Sequence, residues 1–165
     1  IGNRLMLRSR AEDDFAQDTP LEIIDLGILM HEWLAQINTW QDAQPAIERM
    51  VAEGRITHAQ QNTMQQQLQT LQQLLQREGK EHWFIAPNIV RNEMDILTTT
   101  GKTQRPDRVM IDGNTAIVID YKFGQEHPAT YQEQLRNYIL LLQQMGYTVE
   151  AYLVYVAQQK IEQIK

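Results

Sequence analysis

The run Arg105-Pro106-Asp107-Arg108-Val109 and the later run Val118-Ile119-Asp120-Tyr121-Lys122 decide the fold of this chain. Between them stands Asp112-Gly113-Asn114, a strong signal for a two-residue hairpin turn. With Gly113-Asn114 at the tip, the predicted strand pairs are Asp112 with Thr115, Ile111 with Ala116 and Val109 with Val118. The sequence therefore predicts two antiparallel strands in a defined register.

The same register predicts that charged side chains meet further down the hairpin. Asp107 falls opposite Asp120, and Arg105 falls opposite Lys122. Directly opposed residues have Cβ atoms about 4.5–5.5 Å apart, so two carboxylates there repel each other unless a cation lies between them. Strand alternation also places Asp120 and Lys122 on one face. A carboxylate pair beside an ammonium suits metal-assisted hydrolysis of phosphodiesters.

Composition limits the classes of protein to be considered. The chain has 165 residues, 42% of them hydrophobic, which fits one domain with its own core. No apolar run approaches 18 residues, so we expect no membrane span. The absence of cysteine excludes a disulfide, a cysteine-ligated zinc site and an iron–sulfur cluster, and is consistent with the cytoplasm. The start, Ile1-Gly2-Asn3-Arg4, favours a fragment of a longer protein, although a processed or trimmed chain fits equally well.

Periodicity predicts a single domain over 1–165 with a helical part before a sheet. We expect an irregular lead-in over 1–20, a helical part over 21–79 and a sheet-containing catalytic core over 80–165. The predicted helices cover 21–37, 42–53, 58–78 and 129–145, and the predicted strands cover 82–85, 94–99, 105–111, 116–123 and 149–156. This order is typical of an α/β (α+β) fold, a mixed central sheet with helices on its faces.

Two further elements carry candidate site residues whose interpretation stays open. His31 lies one helical turn after Gly27, which would leave space for a metal or a DNA strand above the imidazole, yet the spacing alone favours an ordinary boundary histidine. In the helix after the lysine strand, Tyr131, Gln134 and Tyr138 share one face. That face either packs on the sheet or reaches a phosphate backbone and braces metal ligands.

Taken together, these motifs resemble a known nuclease family. Four elements occur in the family's order over about residues 21–157: Gly27-x3-His31, Arg-Pro-Asp107-Arg, Ile-Asp120-Tyr-Lys122-Phe-Gly124 and Gln134-x3-Tyr138. They are similar to the RecB-like branch of the PD-(D/E)xK nucleases, as found at the C-terminal end of bacterial UvrD/RecB-like helicases (the exonuclease V beta-subunit type). The resemblance implies a restriction-endonuclease-like core.

The resemblance also implies roles for single residues. His31, Asp107, Asp120 and the backbone carbonyl of Tyr121 would hold a divalent metal, and Lys122 would be the catalytic lysine. We expect Mg²⁺, with Mn²⁺ as an effective substitute because one ligand is a nitrogen.

The remaining family positions concern DNA contact and site organisation. Gln134 and Tyr138 match the family's Gln-x3-Tyr element, and Arg105 and Arg108 are candidates for phosphate contacts. Some relatives carry a four-cysteine iron–sulfur cluster, which this chain cannot form. Relatives often have a glycine just before the first metal aspartate, where this chain has Gln104-Arg105-Pro106, which leaves the local strand conformation open.

The function predicted from the sequence is that of a metal-dependent DNA exonuclease domain coupled to a helicase motor in double-strand-break repair. The net charge of −6 gives no general attraction for DNA, so we expect a motor in the same chain or a partner subunit to deliver the strand. The alternatives are an inactive nuclease-like scaffold and a restriction-type endonuclease.

Glu93 and Asp95 are left open as residues that could support the site. Gly101-Lys102-Thr103 is not a phosphate-binding loop, because position 96 is Ile rather than the glycine such a loop needs.

Overall fold

The computed structural model describes residues 21–85, 89–97, 103–124 and 128–165. The predicted lead-in over 1–20, the predicted turn at 100–102 and part of the predicted loop after Gly124 lie outside these residues. Within the described ranges, no helix combines the length and the apolar character that crossing a membrane requires.

The first half of the described chain is helical, as its periodicity predicts. Helix α1 spans Leu21–Leu34, α2 spans Ala43–Ala52 after a 3-10 turn at Trp40–Asp42, and α3 spans His58–Arg77. Thr57 caps α3 in a capping box: its hydroxyl accepts from the Gln60 backbone at 3.1 Å, and the Gln60 side chain accepts from the Thr57 backbone at 2.8 Å. Gly79, with φ +66°, follows the end of α3, where a left-handed residue terminates a helix.

The second half forms a five-stranded mixed sheet. Its strands are β1 (Ile89–Asn92), β4 (Arg108–Asp112), β5 (Thr115–Lys122), β6 (Thr148–Tyr155) and β7 (Lys160–Ile164), in that spatial order. Neighbouring strands are antiparallel except β5 and β6, which are parallel and are joined by α4 (Pro128–Gln144). Two short strands, β2 (Ile96–Leu97) and β3 (Thr103–Gln104), pair separately. As predicted, β5 lies at the centre of the sheet.

The predicted hairpin register is confirmed. The turn carries Gly113 at φ +57°, and the three predicted pairs form: Asp112 with Thr115, Ile111 with Ala116 and Val109 with Val118.

The sheet has a buried cluster on each face. Helices α1 to α3 cover the face that carries Met110 and Ile119, and α4 covers the face that carries Val109 and Val118. Because both faces are covered, β5 is buried along almost its whole length.

Three strand predictions are wrong or incomplete. The segment predicted as a strand at 82–85 is a 3-10 helix, Glu81–Phe84, whose two aromatic side chains are buried. The chain pairs instead at Ile89–Asn92, where no strand was predicted. The strand predicted over 105–111 begins only at Arg108, since Pro106 has no backbone N–H to donate to a ladder.

The C-terminal prediction is also incomplete. The strand predicted over 149–156 forms, but it is not the last, because β7 pairs with it along the edge of the sheet. The β7 sequence alternates only weakly, with polar residues at Lys160, Glu162 and Gln163. An edge strand needs little apolar character, so its pattern resembles that of a polar loop. The strand predicted over 94–99 is seen only as Ile96–Leu97, and 98–99 lie outside the described residues.

Candidate active site

Two carboxylates meet where the hairpin ladder ends. The last ladder pair is Arg108 with Ile119. The predicted pairing of Asp107 with Asp120 therefore lies one step beyond the end of the ladder. Instead each binds the other strand's backbone through its side chain. The Asp107 N–H donates to Asp120 Oδ1 at 2.8 Å, and the Tyr121 N–H donates to Asp107 Oδ2 at 2.9 Å. Both carboxylates are buried, so the two strands hold a desolvated acidic pair side by side.

The histidine of helix α1 reaches this pair. His31 Nδ1 lies 3.3 Å from Asp107 Oδ1, and the two side chains are 10% and 7% exposed. The imidazole packs edge-on against the ring of Phe123, with centroids 5.4 Å apart. Asp107 lies just before the first residue of β4, at the end of the sheet. Helix α1, which packs on the face that carries Met110, can therefore reach it. The structure thus brings His31 to Asp107, whereas spacing alone favoured an ordinary boundary histidine.

Lys122 lies two residues after Asp120, at the end of β5. Its side chain is 2% exposed, and Nζ lies 4.2 Å from the ring centroid of Tyr131 on α4. The Val156 N–H donates to the Lys122 carbonyl at 2.9 Å, which fixes the backbone there. The aromatic face attracts the ammonium electrostatically. Tyr131, which sequence reasoning treated only as part of an aromatic stripe, is therefore in contact with the proposed catalytic lysine.

The two arginines of the Arg-Pro-Asp-Arg run lie in different surroundings. Arg105 does not pair with Lys122 as predicted, because β4 does not extend that far. Its Nε donates to Asp95 Oδ1 at 2.7 Å, and one terminal nitrogen lies 4.0 Å from Glu93 Oε2. Its side chain is 28% exposed, so it can still meet a ligand at the surface.

Arg108 does not fit the predicted phosphate contact. Its side chain is 1% exposed and lies on the face of the sheet that α1 to α3 cover, opposite the carboxylates. The guanidinium donates to three main-chain carbonyls, each at 2.7 Å, those of Ile37, Asn38 and Trp83. Burial lowers the pKa of Arg108, an effect that the neighbouring Tyr121 and Asp42 oppose. We therefore withdraw Arg108 as a DNA contact. Strand alternation could have shown from the sequence that Arg108 points away from the carboxylates, since it places residues 107 and 108 on opposite faces of the sheet.

The remaining candidates lie around this centre. Tyr138 is 1% exposed and belongs to the cluster between α4 and the sheet, as the packing interpretation expects, while Gln134 on the same helix is half-buried. The Glu93 N–H donates to the Asp107 carbonyl at 3.0 Å, and Glu93 has φ +52°. Glu93 thus supports the backbone of Asp107, and Asp95 is an exposed partner of Arg105.

A divalent metal at this centre would need donors from several segments of the chain. In the part of the chain that the structure describes, no three His, Asp or Glu side chains converge closely enough to form a complete metal cage. A carboxylate has two oxygens with about four lone-pair sites. Asp107 and Asp120 can therefore each keep one backbone hydrogen bond and still ligate a metal through further lone pairs. Two carboxylates, an imidazole and a nearby carbonyl are chemically suited to Mg²⁺ or Mn²⁺.

Comparison with known proteins agrees with this geometry. The profile of the PD-(D/E)XK nuclease superfamily matches residues 4–165. A search among curated proteins finds no significant match. The mixed five-stranded sheet with helices on both faces is the fold expected of that superfamily, which confirms the predicted fold class. Nucleases of this superfamily generally use divalent metal ions.

Proposed function

Because this chain belongs to the PD-(D/E)XK nuclease superfamily, we propose that it is a metal-dependent exonuclease that hydrolyses DNA phosphodiester bonds. One observation carries this proposal: at the end of the hairpin that also carries Lys122, the Asp107 backbone binds the Asp120 carboxylate and the Asp107 carboxylate lies against His31, which is distant in sequence. A core that only needed stability would not gather two buried carboxylates, since their desolvation and mutual repulsion are unfavourable.

The ligands that we propose for the metal are the side chains of Asp107, Asp120 and His31 and the carbonyl of Tyr121. When bound, a divalent ion would act as a Lewis acid on the scissile phosphate and lower the pKa of a water. The two carboxylates would supply the negative charge that holds it. The hydrogen bonds from the backbone N–H groups of Asp107 and Tyr121 fix the carboxylate orientation, which is the usual role of groups that support metal ligands.

We assign Lys122 to the charge that develops on the phosphate during hydrolysis. Its side chain is buried, and it lies on the same face as Asp120. Charge interactions are strong where water is largely excluded, so a fixed ammonium there stabilises a more highly charged transition state. It can also donate a hydrogen bond that orients the attacking water.

The surrounding residues would contact the DNA. Gln134 is proposed to contact the DNA from α4 and the buried Tyr138 to organise the site, while Arg105 is the remaining arginine candidate for a phosphate. Arg105 is held by Asp95 and Glu93 at a partly exposed position, so a phosphate could compete with those carboxylates for it. An arginine fork matches phosphate geometry well.

We further propose that a helicase motor, in the same polypeptide or in a partner subunit, feeds a strand to this site during double-strand-break repair. The net charge of −6 supports this, because DNA affinity depends on cationic contacts with phosphates. A salt titration of DNA binding tests it. We expect weak binding by the 165-residue chain alone, and tight binding at physiological salt would contradict delivery by a motor.

Nuclease assays on linear DNA with Mg²⁺ or Mn²⁺ test the main proposal. We expect Lys122→Ala and Asp120→Ala each to reduce cleavage by about 100-fold or more, given what removal of one transition-state contact costs. Lys160→Ala is the matched control, because Lys160 also lies over a tyrosine ring, that of Tyr155 at 5.0 Å, but on the edge strand. Equal cleavage by all the variants would contradict the assignment. Mn²⁺ binding without any cleavage by the parent would favour the inactive scaffold instead.

A further inference from the structure

The most unusual group outside the proposed reaction centre is the buried guanidinium of Arg108. Its three hydrogen bonds reach two separate segments, Ile37–Asn38 after helix α1 and Trp83 in the second 3-10 helix. Its Cζ also lies 3.9 Å from the ring centroid of Phe84. Its terminal nitrogens make these hydrogen bonds, while its buried Nε has no hydrogen-bond partner among the described residues. Burial of such a group is costly, so it is expected where it holds a particular arrangement of the chain.

A neighbouring side chain binds the same segment. Asn92 on β1 is the cross-strand partner of Arg108 on β4. Its side-chain N–H donates to the Ile37 carbonyl at 3.1 Å and to Asn38 Oδ1 at 3.0 Å. Two adjacent strands thus hold the chain that leaves helix α1, and both use side chains on the same face of the sheet.

That segment is connected stiffly to His31. The Ala35 N–H donates to the His31 carbonyl at 3.0 Å, and the Ile37 N–H donates to the Leu34 carbonyl at 3.1 Å, so the backbone from His31 to Ile37 is hydrogen-bonded throughout. At the other end, Arg108 directly follows Asp107 in sequence. One residue therefore joins the strand end that carries Asp107 to the helix end that carries His31.

We propose that Arg108 is a positioning residue that sets the place of the His31 helix relative to Asp107, and so the metal affinity of the site. This inference rests on the proposed function, because it concerns the proposed ligand His31. Lysine would not replace Arg108, since one ammonium cannot reproduce the planar fork that reaches carbonyls of two segments.

A double-mutant cycle on Mn²⁺ affinity, measured by titration calorimetry, tests the inference without using nuclease activity. We expect Arg108→Lys to raise the Kd for Mn²⁺ about tenfold, the lower end of what loss of a group supporting a metal ligand does. In a His31→Ala background the same change should alter the Kd less than about twofold, because the ligand that Arg108 positions is gone. Asn92→Ala should also raise the Kd for Mn²⁺, but by less than Arg108→Lys. It provides the test of the inference if Arg108→Lys does not fold.

Arg77→Lys is the control, because Arg77 also donates from its guanidinium to a main-chain carbonyl, that of Gln159, away from α1. Its Mn²⁺ affinity should equal that of the parent. Parental affinity in both Arg108→Lys and Asn92→Ala, or equal losses with and without His31, would overturn the inference and leave the proposed nuclease site intact. Parental affinity in His31→Ala alone would instead refute the proposed ligand set.

Discussion

Replacing Asp107 by asparagine separates the structural role of this carboxylate from its proposed role as a metal ligand. Its two oxygens face two nitrogens, the Tyr121 N–H at 2.9 Å and His31 Nδ1 at 3.3 Å. In Asp107→Asn the amide oxygen can keep the Tyr121 bond, while the NH₂ group faces His31, whose neutral imidazole can accept. The substitution therefore exchanges two charge-assisted hydrogen bonds for neutral ones and leaves the fold in place.

The expected loss of stability without metal is small. Hydrogen bonds to charged groups contribute about 1.5–3 kcal/mol and neutral ones about 0.5–1.5 kcal/mol, so the difference is about 1 kcal/mol for each of the two bonds. Relief of the repulsion between Asp107 and Asp120 offsets part of it. In a chain of this size, 1 kcal/mol corresponds to about 2–4 °C in Tm.

The expected effect on metal-linked stability is much larger. With Mn²⁺ at about 100 times Kd, the parent gains about 2.7 kcal/mol, or roughly 5–11 °C in Tm. If the variant binds about 100-fold more weakly, the gain at the same Mn²⁺ concentration falls to about 0.4 kcal/mol, or roughly 1–2 °C.

Thermal unfolding with and without Mn²⁺ measures both effects. Asp112→Asn is the matched control, since Asp112 lies at the exposed far end of the same strand and should keep the parent's Mn²⁺ shift. A full Mn²⁺ shift in Asp107→Asn, or no shift in the parent, would refute the reasoning.

Two further predictions concern tyrosines on either side of the sheet. Tyr131→Leu should lower kcat on linear DNA about 3–30-fold by removing the ring that orients Lys122, while Tyr131→Phe should keep it; equal kcat in both variants would exclude this role. Burial raises the pKa of Tyr121, whose hydroxyl has no hydrogen-bond partner within the described ranges. Because the folded pKa lies above the unfolded value of about 10, the free energy of unfolding should be constant at lower pH and fall as the pH rises past 10. Tyr121→Phe should be as stable as the parent at pH 7 and lose less stability in alkali, as urea unfolding at both pH values would show; an equal alkaline loss would contradict this.

Local patterns predicted most of the architecture. Helix periodicity and the Gly113-Asn114 turn each involve a few neighbouring residues, and each appears in the structure as predicted. The failures occur where local pattern and tertiary contact disagree. The apolar run at His82–Ile85 suits a strand, but Trp83 and Phe84 reach the core from a 3-10 turn. The polar edge strand β7 forms because β6 offers it a partner.

The sequence by itself determined that Asp107 and Asp120 lie on facing strand ends, with Lys122 two residues after Asp120, because a two-residue turn and strand alternation leave one register for the hairpin. Only the tertiary structure decided that His31 joins them, since no local rule connects a helix to a strand so far along the chain. It also decided that neighbouring arginines differ in role. Arg108 is the first residue of β4 and is buried against main-chain carbonyls. Arg105 precedes the strand and remains near the surface, where it binds Asp95.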